Sequence, residues 1–211
     1  MNHVFLRGQR VKLDDQLLLG QGGEARVFAH ATLDLALKVF HTESIPSAQS
    51  ARLAALRVEK LRVLVDKPLP LVVTPQELLF DKDGAVVGYA MKKVSGAHDI
   101  ALLAKKSLRA GWDNERILAL FRVLADALTA IHRADVVVGD CNDGNIIVTD
   151  REAYFIDADS MQVGSLPCPV AHERFLDPKL YGKNLVDGAC FDAGSDAFAL
   201  RVLLLDRKSV V

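Results

Sequence analysis

Three oxygen-bearing side chains stand close together in the second half of the sequence, each beside a short apolar run. They are Asp140 and Asn145 in Gly139-Asp140-Cys141-Asn142-Asp143-Gly144-Asn145-Ile146-Ile147-Val148, and Asp157 in Phe155-Ile156-Asp157-Ala158-Asp159. Magnesium takes oxygen ligands in a near-octahedral array and usually leaves several positions to water and substrate phosphates. Asn145 and Asp157 are candidates for the protein's share of such a site. Asp140 is then left to orient a hydroxyl nucleophile, because phosphoryl transfer needs positioning and charge neutralisation more than covalent help. Asx-turns explain any one of these residues but poorly explain the series.

The first half offers a complement. Lys38 lies in the apolar stretch Leu35-Ala36-Leu37-Lys38-Val39, where an ammonium is costly without a partner, and a phosphate is one such partner. An edge-strand lysine reaching solvent is the plainer alternative. Gly20, Gly22 and Gly23 fall between two strand-like segments. That context argues against a dinucleotide fingerprint and a Walker loop, whose glycines open a helix. Glycines in a strand-to-strand turn let backbone N–H groups approach phosphate oxygens, although an ordinary tight turn has the same composition. Glu59, 21 residues after Lys38, is a candidate to hold that lysine in place.

The elements that would position these residues change character along the chain. Segments 10–13, 16–19, 26–29 and 33–40 read as strands, with a glycine-rich turn at 20–25 and a hairpin connection at 30–34. Residues 47–66, between Pro46 and Pro68, read as an amphipathic helix with Leu53, Leu56, Leu61, Leu64 and Val65 on its apolar face. Strands at 78–80 and 86–91 follow, joined by the turn signal Asp81-Lys82-Asp83-Gly84. After Ser95-Gly96 the pattern predicts a short helix at 99–108 and a longer one at 114–132 that Asp113 could cap. Short strands are expected near 136–138, 146–148 and 153–156, then a long irregular stretch at 160–194 and a final apolar helix from Phe198 to Leu205.

Bulk properties exclude several classes. The 211 residues are half hydrophobic and one quarter charged, which suits a globular chain able to bury a core. A net charge of -1 gives no general attraction to nucleic acid or anionic lipid. Residues 1–110 hold 16 Lys/Arg against 11 Asp/Glu and the remainder 10 against 16, a division that would suit a polyanion bound with its counter-cation. Cys141, Cys168 and Cys190 lack paired ligand spacing and read as reduced thiols of a cytoplasmic protein. The start, Met1-Asn2-His3-Val4, does not suggest a signal peptide, and no apolar run is long enough to span a membrane.

Taken in order, these motifs resemble those of protein kinases over roughly residues 12–205. Gly20 to Val27 stands as the glycine-rich loop, Ala36-Leu37-Lys38 as the strand-three lysine motif, and Glu59 as its helix C partner. Asp140 to Asn145 matches the catalytic loop, and Asp157-Ala158-Asp159 replaces Asp-Phe-Gly. More narrowly, the chain is similar to a bacterial group of kinase-like proteins, some fused to helix-hairpin-helix modules or associated with phosphatase and von Willebrand A partners. Their catalytic loop also reads Gly-Asp-x-Asn-x-Gly-Asn and their metal motif Ile-Asp-x-Asp-Ser.

The resemblance implies an α+β, bilobal fold: an antiparallel sheet with helix C over residues 1–94, and a mainly helical, incomplete C-lobe over 95–211. It implies ATP and magnesium as cofactors, with catalytic roles for Asp140, Lys38 and Glu59 and metal ligation by Asn145 and Asp157. Nucleotide contacts would come from Gly20, Gly22, Gly23, Val27, Ala36, Lys38, Met91 and Val94, with Met91 as gatekeeper and Lys92 to Val94 as hinge. Asp196 would bind the backbone of the catalytic loop from the start of the last helix.

The departures are specific. Ala25 replaces the third glycine, Val138-Gly139 stands where many kinases have His-Arg, and Asn142 takes the place of the catalytic-loop lysine. Pro178-Lys179 stands where relatives carry Pro-Glu. The expected activity is transfer of the γ-phosphoryl group to Ser/Thr hydroxyls of a protein. A nucleotide-binding pseudokinase or scaffold docking a protein partner, and a small-molecule kinase, are the alternatives. A homodimer covering the last apolar helix is a further expectation, and no direct nucleic-acid binding is expected.

Overall fold

A computed structural model describes residues 2–41, 47–104 and 111–208. The fold is α+β, with an antiparallel sheet and, among the described residues, three α-helices. By contacts the chain divides into two compact units: Met1–Pro68 with Thr74–Val94, and Leu69–Val73 with Ser95–Val211.

The first unit is a seven-stranded sheet with one helix. Its strands are β1 (His3–Leu6), β2 (Gln9–Lys12), β3 (Leu18–Gln21), β4 (Ala25–Ala29), β5 (Leu35–Phe40), β6 (Pro75–Phe80) and β7 (Val86–Lys92), in the order β2-β1-β6-β7-β5-β4-β3. Alternation along the strands separates the faces. Leu37 and Val39 of β5 join Val4, Leu6, Phe28, Leu79 and Ala90 in an apolar cluster, while Ala36, Lys38 and Phe40 occupy the opposite face.

Local chemistry sets the turns. In the β6–β7 hairpin the Asp81 carboxylate accepts from the Asp83 and Ala85 N–H groups, both at 2.9 Å, and Gly84 takes φ +83°, a conformation that favours glycine. The β4–β5 hairpin closes where His30 N–H donates to the Leu35 carbonyl at 2.9 Å.

Helix α1 (Ala48–Val65) begins at Ser47, whose hydroxyl accepts from Ser50 N–H at 3.0 Å. It buries Leu61, Leu64 and, unexpectedly, Lys60. Pro46, read above as its boundary, lies outside the described residues.

Three expectations change here. Residues His3–Leu6 form a strand that the sequence pattern did not signal. Gln16 and Leu17, expected in a strand, belong to a 3-10 turn at Asp15–Leu17 capped by Asp14. Gly20 and Gln21 continue β3, so the glycine turn narrows to residues 22–24.

The second unit holds β8 (His98–Asp99), α2 (Asn114–Arg133), β9 (Val136–Val137), β10 (Ile146–Val148), β11 (Ala153–Phe155), β12 (Gln162–Val163) and α3 (Ala193–Lys208). The expected helix at 99–108 is instead β8 followed by a 3-10 turn at Ile100–Ala104, and its remainder lies outside the described residues. Helix α2 matches its sequence signal: Asp113 accepts from Arg116 N–H at 2.7 Å, and Ile117, Leu120, Phe121, Leu124, Leu128 and Ile131 are buried.

Helix α3 starts five residues before the apolar run that announced it. Asp192 Oδ1 accepts from Ser195 N–H and Ser195 Oγ accepts from Asp192 N–H, both at 2.9 Å. This is a reciprocal capping box with serine in the usual place of glutamate. No helix among the described residues is long and apolar enough to cross a membrane.

Candidate functional site

In the second unit, a hairpin places two of the three oxygen residues, Asn145 and Asp157. β10 and β11 pair antiparallel through Ile146↔Phe155, Ile147↔Tyr154 and Val148↔Ala153, and Ile156 N–H extends the ladder by donating to the Asn145 carbonyl at 3.0 Å. Asn145 and Asp157 therefore leave the same end of one two-stranded ladder. Asp157 has φ +61°. Such left-handed geometry costs a non-glycine residue on the order of 1–2 kcal/mol, and it recurs where a side chain has been aimed for function.

Asn145 is oriented by Asp140. Its Nδ2 donates to the Asp140 carbonyl at 2.9 Å and to Asp140 Oδ2 at 3.0 Å. These bonds assign the amide, because a carbonyl and a carboxylate only accept. Asn145 Oδ1 is left with no hydrogen bond among the described residues, and the side chain is half-buried. The other Asp140 oxygen, Oδ1, accepts from His172 N–H at 2.8 Å.

Loop 140–145 is wound on Asn142, which is 7% exposed. Its Nδ2 donates to the Asp140 carbonyl at 3.2 Å, and its Oδ1 accepts from Gly144 N–H at 2.8 Å. The side chain standing where a lysine was anticipated is thus turned inward and shapes the loop.

Asp196, fully buried in the first turn of α3, holds the loop from beneath. Its Oδ2 accepts from Val138 N–H and its Oδ1 from Gly139 N–H, both at 2.8 Å, and His132 Nε2 lies 2.8 Å from Oδ2. The role anticipated for Asp196 is therefore present, with His132 as an added donor. Gly139 has φ +72°, and a Cβ there would lie 2.8 Å from Cys168 Sγ and 2.9 Å from Cys168 Cβ. Burial pushes the Cys141 thiol well up, and the charges of Asp196 and Asp140 push the same way.

Further along, Lys179 Nζ pairs with Asp192 at 2.7 Å and Asp177 at 3.2 Å. The lysine that replaces the expected glutamate makes its own link to the foot of α3.

In the first unit, strand register collects another group. Lys38 on β5 lies opposite Val27 on β4 and Tyr89 on β7, and Ala36 lies opposite Met91. Directly paired residues share a face, so Val27, Ala36, Lys38 and Met91 line the one that turns away from the apolar cluster. Lys38 is 6% exposed, with Nζ 5.9 Å from the centre of the Tyr89 ring. Val94 follows β7 and is half-buried.

Gly20, Gly22 and Gly23 are exposed, none has positive φ, and a Cβ at any of them would meet nothing within 4 Å. Neither backbone conformation nor packing among the described residues requires glycine there. The turn is tied to α1 by an ion pair between Glu24 and Arg57, whose guanidinium also lies 4.6 Å from the centre of the Phe40 ring.

Glu59 departs from its expected place. It is exposed on α1, where a buried partner of Lys38 was expected. The neighbouring Lys60 turns inward instead and is 2% exposed. A one-residue difference on a helix rotates a side chain by about 100°, and spacing from Lys38 alone does not fix that angle.

Among the described residues, no group of three or more His, Cys, Asp or Glu side chains is placed to hold a metal by itself. Asn145 with Asp157 fits the other pattern, in which protein oxygens supply a minority of the ligands. No protein-family model matches this chain, and no curated protein matches it in sequence.

Proposed function

We propose that the protein is an ATP- and magnesium-dependent phosphotransferase with a protein-kinase-like bilobal fold, acting in the cytoplasm on Ser/Thr hydroxyls of a protein. The observation that carries this reading is the bonding of Asn145. Its amide nitrogen is committed to Asp140, so its oxygen is presented on the same ladder end as Asp157.

Asn145 and Asp157 would hold the magnesium, which supplies charge neutralisation on the phosphates. Lys38 contributes positive charge to the phosphates, and the Gly20–Gly23 segment admits them to backbone N–H groups, a use consistent with glycines that the fold itself does not need. Val27, Ala36, Met91 and Val94 contact the base and sugar. Asp140 orients the acceptor hydroxyl and takes its proton as the hydroxyl oxygen bonds to the γ-phosphorus. The bridging bond to the β-phosphate breaks and ADP leaves.

The test is transfer of labelled γ-phosphate by purified protein to itself or to a generic substrate, beside Asp140→Ala and Asp157→Ala. Loss of incorporation in both variants is expected, and equal incorporation by all three chains overturns the proposal. Asn145→Leu is expected to remove the magnesium-dependent part of ATP-induced thermal stabilisation while leaving the fold intact.

One observation favours a nucleotide-binding pseudokinase or scaffold instead. Kinase activity normally requires the lysine–glutamate pair, and Glu59, the residue expected to pair with Lys38, is exposed. Magnesium-dependent ATP binding without turnover selects that reading.

A further inference from the structure

A cavity of about 540 Å³ lies between α2 and α3, and Asp140, Asn145 and Asp157 are not among its lining residues. Its lining runs from Leu118 to His132 on α2 and from Ala193 to Leu204 on α3, which at 1.5 Å per residue is roughly 17–21 Å, or three to four helical turns. Leu118, Phe121, Leu128, Leu200 and Leu204 make it apolar, and Ala125, Thr129 and Ala193 are exposed, so it is a groove open to solvent.

Its charge is one-sided. The lining contains Arg122 and Arg201 and no carboxylate. Both arginines are exposed, and neither has a hydrogen bond or ion pair among the described residues. The carboxylates of α3 are committed elsewhere: Asp196 to His132 and the 138–139 backbone, Asp206 to Arg174 at 2.7 Å. Since His132 near the end of α2 bonds Asp196 at the start of α3, both arginines lie toward the other end of the groove.

We propose that this groove docks an amphipathic helix of another protein, with an apolar face against the leucines and carboxylates near one end against Arg122 and Arg201. Helix-in-groove recognition uses such an apolar trough and reads side chains at spacings of three and four. A second copy of this chain fits poorly, because a two-fold contact sets the same patch against itself and that patch has no carboxylate to meet the arginines. An acyl chain lying in the groove would keep one side in water, whereas a helix covers the lining.

The probe is a labelled helical peptide of about 14 residues, long enough to match the groove, with leucines on one face and glutamates near one end. Its counterpart carries lysines for the glutamates, and binding is read by fluorescence anisotropy. The acidic peptide is expected to bind at least about tenfold more tightly than the basic one, and Arg122→Glu with Arg201→Glu is expected to reverse that order. Thr129→Trp, which fills the groove without changing charge, is expected to abolish binding of both.

Equal or absent binding of the two peptides by the unaltered protein overturns the proposal. So does acidic-peptide binding that survives Thr129→Trp, or displacement of the peptide by dodecanoate at stoichiometric ratio. Sedimentation showing a dimer that the double arginine variant dissolves gives the groove to a second copy and overturns it equally. None of these readouts uses phosphoryl transfer, so the inference stands or falls apart from the proposed activity.

Discussion

Replacing Asp196 tests whether α3 supports the backbone that leads into loop 140–145. Its fully buried carboxylate accepts from Val138 N–H and Gly139 N–H and lies 2.8 Å from His132 Nε2. Asp196→Ala leaves two backbone donors and one ring nitrogen without that acceptor, and a buried donor deprived of its partner costs about 1–3 kcal/mol. Relief from burying a carboxylate returns part of that loss, so the net destabilisation is expected to be about 3–5 kcal/mol. For a chain of this size each kcal/mol lowers the melting temperature by about 2–4 °C, giving a fall on the order of 10 °C. Asp196→Asn keeps the volume but offers one acceptor atom where there were two, and at least half of the effect should remain. Denaturant titration followed by circular dichroism measures both. A change below about 1 kcal/mol for Asp196→Ala, smaller than a single lost buried bond, would refute the reasoning.

Three further outcomes follow from geometry already described. Gly139→Ala should destabilise by about 1–3 kcal/mol, because the new Cβ meets Cys168 at a left-handed backbone position, and Cys168→Ala should restore little since the Cys168 Cβ is itself 2.9 Å away. Brief alkylation of the folded protein should label Cys190, which is half-buried, before Cys141 and Cys168, which are buried, as peptide mass mapping would show. Asp192 is held below the usual carboxylate range chiefly by Lys179 and secondarily by Ser195 N–H. Its folded pKa is thus below its unfolded value. The stability it contributes is complete above about pH 4 and is lost as the pH falls through the folded value, so Lys179→Met should move the acid-unfolding midpoint to higher pH.

The sequence was most legible where periodicity and local capping agree. Helix α2 is announced by Asp113 and a strict apolar repeat, and the hairpin at Asp81-Gly84 by its turn chemistry. Asp140, Asn145 and Asp157 could be singled out because polar residues interrupt short apolar strands that then pair with one another. Failures occurred where tertiary contacts decide. The four-residue β1 owes its place to β2 on one side and a single pairing, Phe5 with Phe80, on the other. The 3-10 turn at Ile100–Ala104 has the same apolar content as a helix, and Glu59 and Lys60 differ only in which way α1 is rotated against the sheet. Asp192 and Ser195 did carry a signal for the start of α3, hidden because the box uses serine where glutamate is the familiar partner.

The bonds from Asp196 to Val138 and Gly139 join positions 58 and 57 residues apart. A chain growing on the ribosome has made Asp140 and Asn145 long before Asp196 leaves the exit tunnel. The loop that follows Gly139 therefore lacks this support until the start of α3 has been made and has packed beneath it.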